Sequence, residues 1–388
     1  MTTFDDLLTQ EYPRFSDAEL ARRRRLIEGV MAEAEVDHLL CYGIGTRGGA
    51  LGWLSQWVVT NEAQLVLSPG EENELFVQYF NHVPLATHIA RDTRVAWGGA
   101  STIATSIAAL QRRGAPAGRV GVMGPLPLSA ARQLEAAVGP VTDLTPAYNR
   151  VRLRKSEEEL RWFALGAHLG DLAIAALERD AHPGMSERDL GALVESTWLP
   201  LGGVNALHYF AVNDMANPQY CVPRQHPSPR VLRAGDVVTT EITANFFEYG
   251  GQILRTFAVA GELSPLYCDL HDAADAAFTA ISALLVPGTT AEELVEASGV
   301  IEAAGFTTLD DLVHGYGGGY LAPILGSRSR PNEPTPHFVL EESMMLVVQP
   351  NVVTPDHRAG VQTGECLVVT AEGPRRLHHA ARGALRIG

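Results

Sequence analysis

Cysteine and positive charge are scarce in this chain, and a long uncharged apolar run is missing. The four cysteines, Cys41, Cys221, Cys268 and Cys366, form no Cys-x-x-Cys pair and lie near no histidine pair at finger spacing. That excludes a zinc finger, and reduced thiols in a cytoplasmic protein are the expectation. Thirty Lys and Arg face 45 Asp and Glu, a formal charge of −15. Such a surface is a poor partner for phosphate backbones or acidic lipid, so neither a nucleic acid nor a membrane is expected as partner. No stretch approaches the length of a spanning segment. The acidic opening MTTFDDLLTQEYPRF lacks the basic and apolar regions of a signal peptide. The densest basic run, Arg22 to Arg25, sits inside a helical pattern of Phe15, Leu20, Leu26, Ile27, Val30 and Met31. It reads as a solvated helix face.

What is present is material for a large core: 388 residues, 46% of them apolar. That length suits two domains. The first part, 1–152, alternates helix and strand. Ser16 and Glu19 make a capping box for a helix to about Ala34. DHLLCYG (37–43), AQLVLS (63–68), ELFVQY (74–79) and RVGVMG (119–124) read as strands. ASTIATSIAALQRRG and PLSAARQLEAAVG read as helices ending at glycine. This is an α/β pattern. Charge rises at VRLRKSEEEL, where Ser156 and Glu159 open a second capped helix to about Arg179.

The second part, 153–388, contains an internal likeness. HPGMSERDLGALVE (182–195) and VPGTTAEELVEASG (286–299) share Pro-Gly, a Ser/Thr cap, an acidic first turn and an amphipathic helix. Each is followed by a segment with a histidine, His208 or His314. Two halves about a pseudo-twofold would bring both histidines to one cleft. GDVVTTEITANFFEYGGQILRTF (235–257) reads as a hairpin carrying Glu241 and, eleven residues on, Gln252. MMLVVQPNVV (344–353) and GVQTGECLVVT (360–370) supply further strands. The layout is α+β, an antiparallel sheet with helices on one face.

Four blocks in order, GDVV running to Arg-Thr-Phe, VHGYGGGY, VVQPNVVTPDHRAGVQ and LVVTAEGPRRL, resemble the creatinase / aminopeptidase P / methionine aminopeptidase family, the M24-type pita-bread fold. The resemblance covers about 155–388, behind the smaller N-terminal α/β domain usual in that family. It implies a homodimer as well. The family's metallopeptidase members hold two divalent ions through two aspartates, a histidine and two glutamates. The matching positions here are Glu241, Gln252, His314, Gln349 and Gly364, with Glu365 one residue late. Two amides and a glycine leave too little charge for the ions, so no metal and no cofactor are expected. The resemblance extends to metal-free members, creatinase and ectoine hydrolase, the latter carrying a glutamate where Glu241 falls. Creatinase activity itself fits less well: Leu254 replaces an acid, and a second histidine is missing from HGYGGGYLAP.

The leading expectation is therefore a metal-independent hydrolase of a small amide, amidine or guanidino compound. Glu241 serves as nucleophile or general base and His314 as proton donor to the leaving nitrogen. Glu365 and His226 are further catalytic candidates. Gln252, Gln349, Arg255, His208 and Tyr316 are substrate-binding candidates. Each has a plainer reading: Glu241 as an acid paired with Arg255, His314 as a core histidine, the glutamines as drift in a disused site. His357, His378 and His379 read as surface residues of turns or tail. Three other functions compete: a metal-dependent Xaa-Pro peptidase, a lyase, and an inactive binding module. GYGGGY lacks the Gly-Lys-Ser/Thr ending of a phosphate loop.

Overall fold

The computed structural model describes residues 4–45, 49–58, 61–332 and 335–388. They form two compact units, Gln10–Arg152 and Leu153–Gly388, the latter including the segment up to Thr9.

Short β-rich runs in Gln10–Arg152 pair into a six-stranded mixed sheet. Across the sheet the strands run Thr93–Trp97, Asn73–Val77, Glu62–Leu67, His38–Ile44, Val120–Met123 and Val141–Asp143. Helices Thr102–Arg112 and Leu128–Val138 cover it, burying Leu110 and Leu134 against Leu40, Val66 and Phe76. The helix Asp17–Glu33 starts where the Ser16 hydroxyl accepts from Glu19 N–H. Its basic run is not wholly solvated. Arg23 is buried, bonded to Glu19 and to the Trp53 carbonyl, with its guanidinium over the Phe15 ring.

In Leu153–Gly388 the helix Glu157–Asp180 opens on a complete Ser156/Glu159 capping box. It is long and apolar enough to cross a membrane by composition, but 67% of its most apolar window is buried. Packing therefore explains its apolar character. Gly166 and Gly251 let it lie directly on the hairpin: a Cβ at Gly166 would come within 2.4 Å of the Tyr249 carbonyl oxygen. The hairpin, Asp236–Phe246 with Tyr249–Val259, sits inside a nine-stranded sheet. Val204–Asp214 flanks it on one side and Gly364–Val368 on the other. Met345–Val348, Val313–Tyr316 and Tyr320–Leu325 continue the sheet. MMLVVQPNVV is not one strand. It breaks at Gln349-Pro350, and Asn351–Val353 joins a separate three-stranded sheet with Thr307–Thr308 and Gly360–Gln362. Proline removes the ladder donor there and sends the chain to a second sheet. The helix Pro265–Ser282 buries Tyr267, Leu270, Ala274, Phe278 and Ile281 in the main core.

The internal likeness is realised bond for bond. Gly184 and Gly288 both take positive φ, 99° and 98°. Their N–H groups donate to Leu232 and Leu340 carbonyls, 2.9 Å in each case. Leu232 and Leu340 N–H donate back to Met185 and Thr289 carbonyls. Ser186 and Thr290 then close matching capping boxes. The pseudo-twofold thus rests on two equivalent left-handed turns that only glycine adopts without strain. Gly184→Ala and Gly288→Ala are each expected to cost about 1–3 kcal/mol, measured by denaturant unfolding. A neutral result at either site would contradict the equivalence.

Candidate active site

Glu241 lies buried mid-strand, with Tyr209 and Leu254 directly opposite on its two neighbours. Strand alternation puts Gln252 in phase with it. The Gln252 amide nitrogen donates to Glu241 Oε1 at 2.8 Å and to Gln349 Oε1 at 2.9 Å. The backbone holds both amides: Gln252 N–H donates to Cys366 Sγ and Gln349 N–H to the Leu312 carbonyl. The Gln349 nitrogen in turn donates to the Tyr320 hydroxyl at 3.1 Å, which reaches Asp311 Oδ1 at 3.4 Å. Tyr320, 44% exposed, stacks its ring on His314 at 3.6 Å. One polar chain thus runs from Glu241 to Asp311 and joins the two halves.

Burial sets the proton affinities here. It pushes the Glu241 carboxyl up to about 7, helped by the charge of Asp310 and opposed by Gln362. Asp311 is raised further by burial and by its hydrogen bond and charge interaction with Asp310. His314 is fully buried and pushed down to about 4 by desolvation. Its Nδ1 faces the Gly315 carbonyl at 2.8 Å, so that nitrogen carries the proton and Nε2 is a bare acceptor. The expected role of His314 as proton donor is therefore corrected: neutral and in this tautomer it accepts. Of the two acids, Asp311 is the one pushed higher. Cys366 is pushed up to about 12 by burial and is no nucleophile.

The structure brings together Glu241, Gln252, His314 and Gln349, and leaves the other candidates elsewhere. Glu365 stands opposite Ile253, one residue out of phase with Gln252. Its carboxylate is buried between Arg255, at 2.7 Å, and Arg376. Burial raises its pKa, but the two guanidinium partners outweigh that and hold it below the usual carboxylate range. Arg255 shares that phase and, among the described residues, has no hydrogen bond to Glu241, Gln252, His314 or Gln349. Its nitrogens also donate to the Leu254, Gly364 and Ala381 carbonyls, which ties down the C-terminal tail. His208 sits opposite Ile242, out of phase with Glu241, and pairs with Glu195 at 3.3 Å. The two histidines of the repeat therefore do not share a cleft. His226 is exposed, and among the described residues no hydrogen bond links it to this cluster. Tyr316 is core, packed with Leu160, Phe163, Leu254 and Cys366. His378, expected at the surface, is buried against Asp171 at 2.9 Å. Sequence reasoning missed Asp310, Asp311, Tyr320 and Gln362. The Asp-Asp pair just ahead of His314 was the available signal.

Residues 165–371, just over half of the chain, match the profile of metallopeptidase family M24. This chain belongs to that family. Among curated proteins it is similar to the putative dipeptidase YkvY of Bacillus subtilis, 26% identical over 63% of this chain and 66% of that protein. It is also similar to the Xaa-Pro dipeptidase of Pyrococcus horikoshii, 25% identical over 60% of this chain and 64% of that protein. The match spans a little under two thirds of each relative. Among solved structures, the Xaa-Pro dipeptidase from Bacillus anthracis has a TM-score of 0.81 at 19% identity, covering 95% of this chain and all of that one. The prolidase from Pyrococcus furiosus scores 0.77 at 20% identity, covering 91% and 99%. These likenesses show the fold, α+β of the pita-bread type.

The residues present do not fit the pair of divalent ions that the family name implies. Among the described residues no three His, Cys, Asp or Glu side chains group as a metal site. Gly364 has no room for a ligand, since a Cβ there would meet the Val348 carbonyl oxygen at 2.4 Å and Gln349 Cα at 2.8 Å. Gln252 turns its N–H donors, not its oxygen, toward Glu241 and Gln349.

Because the Glu241 pKa is raised in the fold from 4.5 to about 7, charging it opposes folding. With respect to this group, stability is full below about pH 4.5 and is lost as pH rises through about 7. Glu241→Gln keeps the acceptor for Gln252 and removes the charge. At pH 8 it is expected to stabilise the protein by up to about 3 kcal/mol, and near pH 5 to change little. Thermal unfolding at the two pH values checks this, and destabilisation at both would contradict it.

Proposed function

We propose that this M24 chain hydrolyses a C–N bond in a small peptide-like substrate, with Xaa-Pro dipeptides as the first class to test. The likeness to dipeptidases supports peptides over the creatinase-like compounds that the sequence alone puts first. The observation that carries the reading is the hydrogen-bonded chain from Glu241 through Gln252, Gln349 and Tyr320 to Asp311 within the family-matched span, with burial raising the pKa of the acid at each end. Glu241 takes a proton from water as the water oxygen bonds to the carbonyl carbon. As the C–N bond breaks, the nitrogen leaves with the proton of the Asp311 carboxyl. Tyr320 and Gln349 hold Asp311 in place. His314 accepts through Nε2 and orients water or substrate. No step passes through a metal, because the residues do not fit one.

A second reading, hydrolysis of a small amidine or guanidino compound, is favoured by the amides at 252 and 349, which leave a neutral bridge where the family's ligand positions fall.

Turnover of glycyl-proline and alanyl-proline, beside acetamidine and creatine, separates the two. Dipeptide hydrolysis is expected to persist in EDTA and to fall by about 10²–10⁴ in Glu241→Gln. Its rate should rise with pH through about 7, as Glu241 loses its proton, and fall again as Asp311 does. Cleavage of acetamidine or creatine alone would install the second reading. Dipeptide cleavage that requires added Mn²⁺ would overturn the metal-free mechanism.

A further inference from the structure

Tyr320 is fixed at its tip and on one face, and bare on the other. Its ring lies on the His314 imidazole, 3.6 Å between centroids and 14° between planes. Its hydroxyl accepts from Gln349 Nε2 at 3.1 Å and donates to Asp311 Oδ1 at 3.4 Å. His314 beneath it is fully buried. Tyr320 itself is 44% exposed, so the ring face turned away from His314 is the open one. The chain just ahead adds no cover there: a Cβ at Gly319 would meet no atom within 4 Å beyond its chain neighbours. Tyr320 also begins the strand Tyr320–Leu325, at one end of the nine-stranded sheet. Burial alternates along that strand. Leu321, Pro323 and Leu325 are buried, and Tyr320, Ala322 and Ile324 are exposed, Ile324 by 41%. The polar chain that starts at Glu241 therefore reaches the surface at an anchored aromatic ring that heads an apolar row. A scattered exposed tyrosine needs no explanation, but a ring held rigid beside a buried acid offers a preorganised surface.

We propose that the open face of Tyr320, continued by Ala322 and Ile324, receives the leaving-amine side of the substrate and selects amines that carry a hydrocarbon ring or branch. None of the three residues stands at the family's five ligand positions. The inference deepens the C–N hydrolase reading and rests on it for the role of Asp311. There the Asp311 carboxyl gives its proton to the leaving nitrogen, and the Tyr320 hydroxyl is bonded to that carboxyl. The departing amine therefore comes beside the ring. A hydrocarbon ring laid on the aromatic face removes apolar surface of both from water. Ammonia leaving from a simple amidine gains nothing there, whereas the pyrrolidine of an Xaa-Pro peptide covers the face. The hydroxyl holds Asp311, and the ring does the selecting.

Binding rather than turnover tests it, so that absence of activity does not decide the outcome. Saturation-transfer NMR titrations of the full chain would compare L-proline with glycine. Both carry an ammonium and a carboxylate, and they differ in hydrocarbon. The wild type is expected to bind L-proline about tenfold tighter than glycine. Tyr320→Phe keeps the ring without the hydroxyl and should retain that preference. Tyr320→Ala, checked for native circular dichroism, should lose it. Tyr320→Gln, which keeps a polar tip for Gln349, replaces it where the alanine variant does not fold. Equal affinity for the two probes, no L-proline binding, a preference unchanged without the ring, or one lost equally in Tyr320→Phe would overturn the proposal. Methylguanidinium bound more tightly than L-proline would also overturn it, in favour of a cation on the ring. A preference that depends on the ring, with no hydrolysis of any substrate, would uphold the binding face and sink the hydrolase reading alone.

Discussion

One amide group joins the halves of the catalytic-type unit. Gln252 comes from the hairpin of the first half, and its nitrogen donates both to Glu241 on the same hairpin and to Gln349 from the second half. Much of the site follows from that donor. It neutralises no charge, so Glu241 stays desolvated and its pKa climbs. It points N–H groups where a cation would need oxygen. It aligns Gln349, which positions Tyr320 over His314 and beside Asp311. An aspartate at position 252 would reverse each effect, presenting negative charge between the halves.

The second consequence is the fate of the displaced glutamate. Glu365 lies one residue from the ligand position, and Gly364 is packed too tightly against Val348 and Gln349 to carry a side chain. Because strand side chains alternate, the carboxylate cannot reach the cleft. It is enclosed instead by Arg255 and Arg376, which also hold the carbonyls of Ala381 and Ala380. A charge absent from the cleft has become the anchor of the C-terminal tail. Breaking such a buried pair is far more costly than the pair is stabilising.

Local signals reported local structure well. Ser156, Ser186 and Thr290 cap helices as their spacing implies, and the hairpin around Glu241 has the expected arms. Family register brought Glu241, Gln252, His314 and Gln349 together from across the chain. Two kinds of information were not legible. Phase on the sheet decided against Arg255 and His208, which stand out of step with Glu241 on their strands. Packing decided the proton affinities: the lowered pKa of His314, the raised pKa of Asp311 and the burial of His378 depend on contacts that no spacing encodes. Asp310 and Asp311 precede the strand that carries His314, which is buried in the same sheet as the hairpin with Met345–Val348 and Gly364–Val368 between them.

The central claim is that this M24 cleft is closed by an amide bridge and binds no divalent pair. Metal content of the purified full chain, by inductively coupled plasma mass spectrometry after dialysis without chelator, tests it most directly. The account predicts Mn, Co, Zn and Fe far below one ion per chain. About one or two tightly held ions per chain would contradict it, because the bridge would then have to open and its oxygens turn inward.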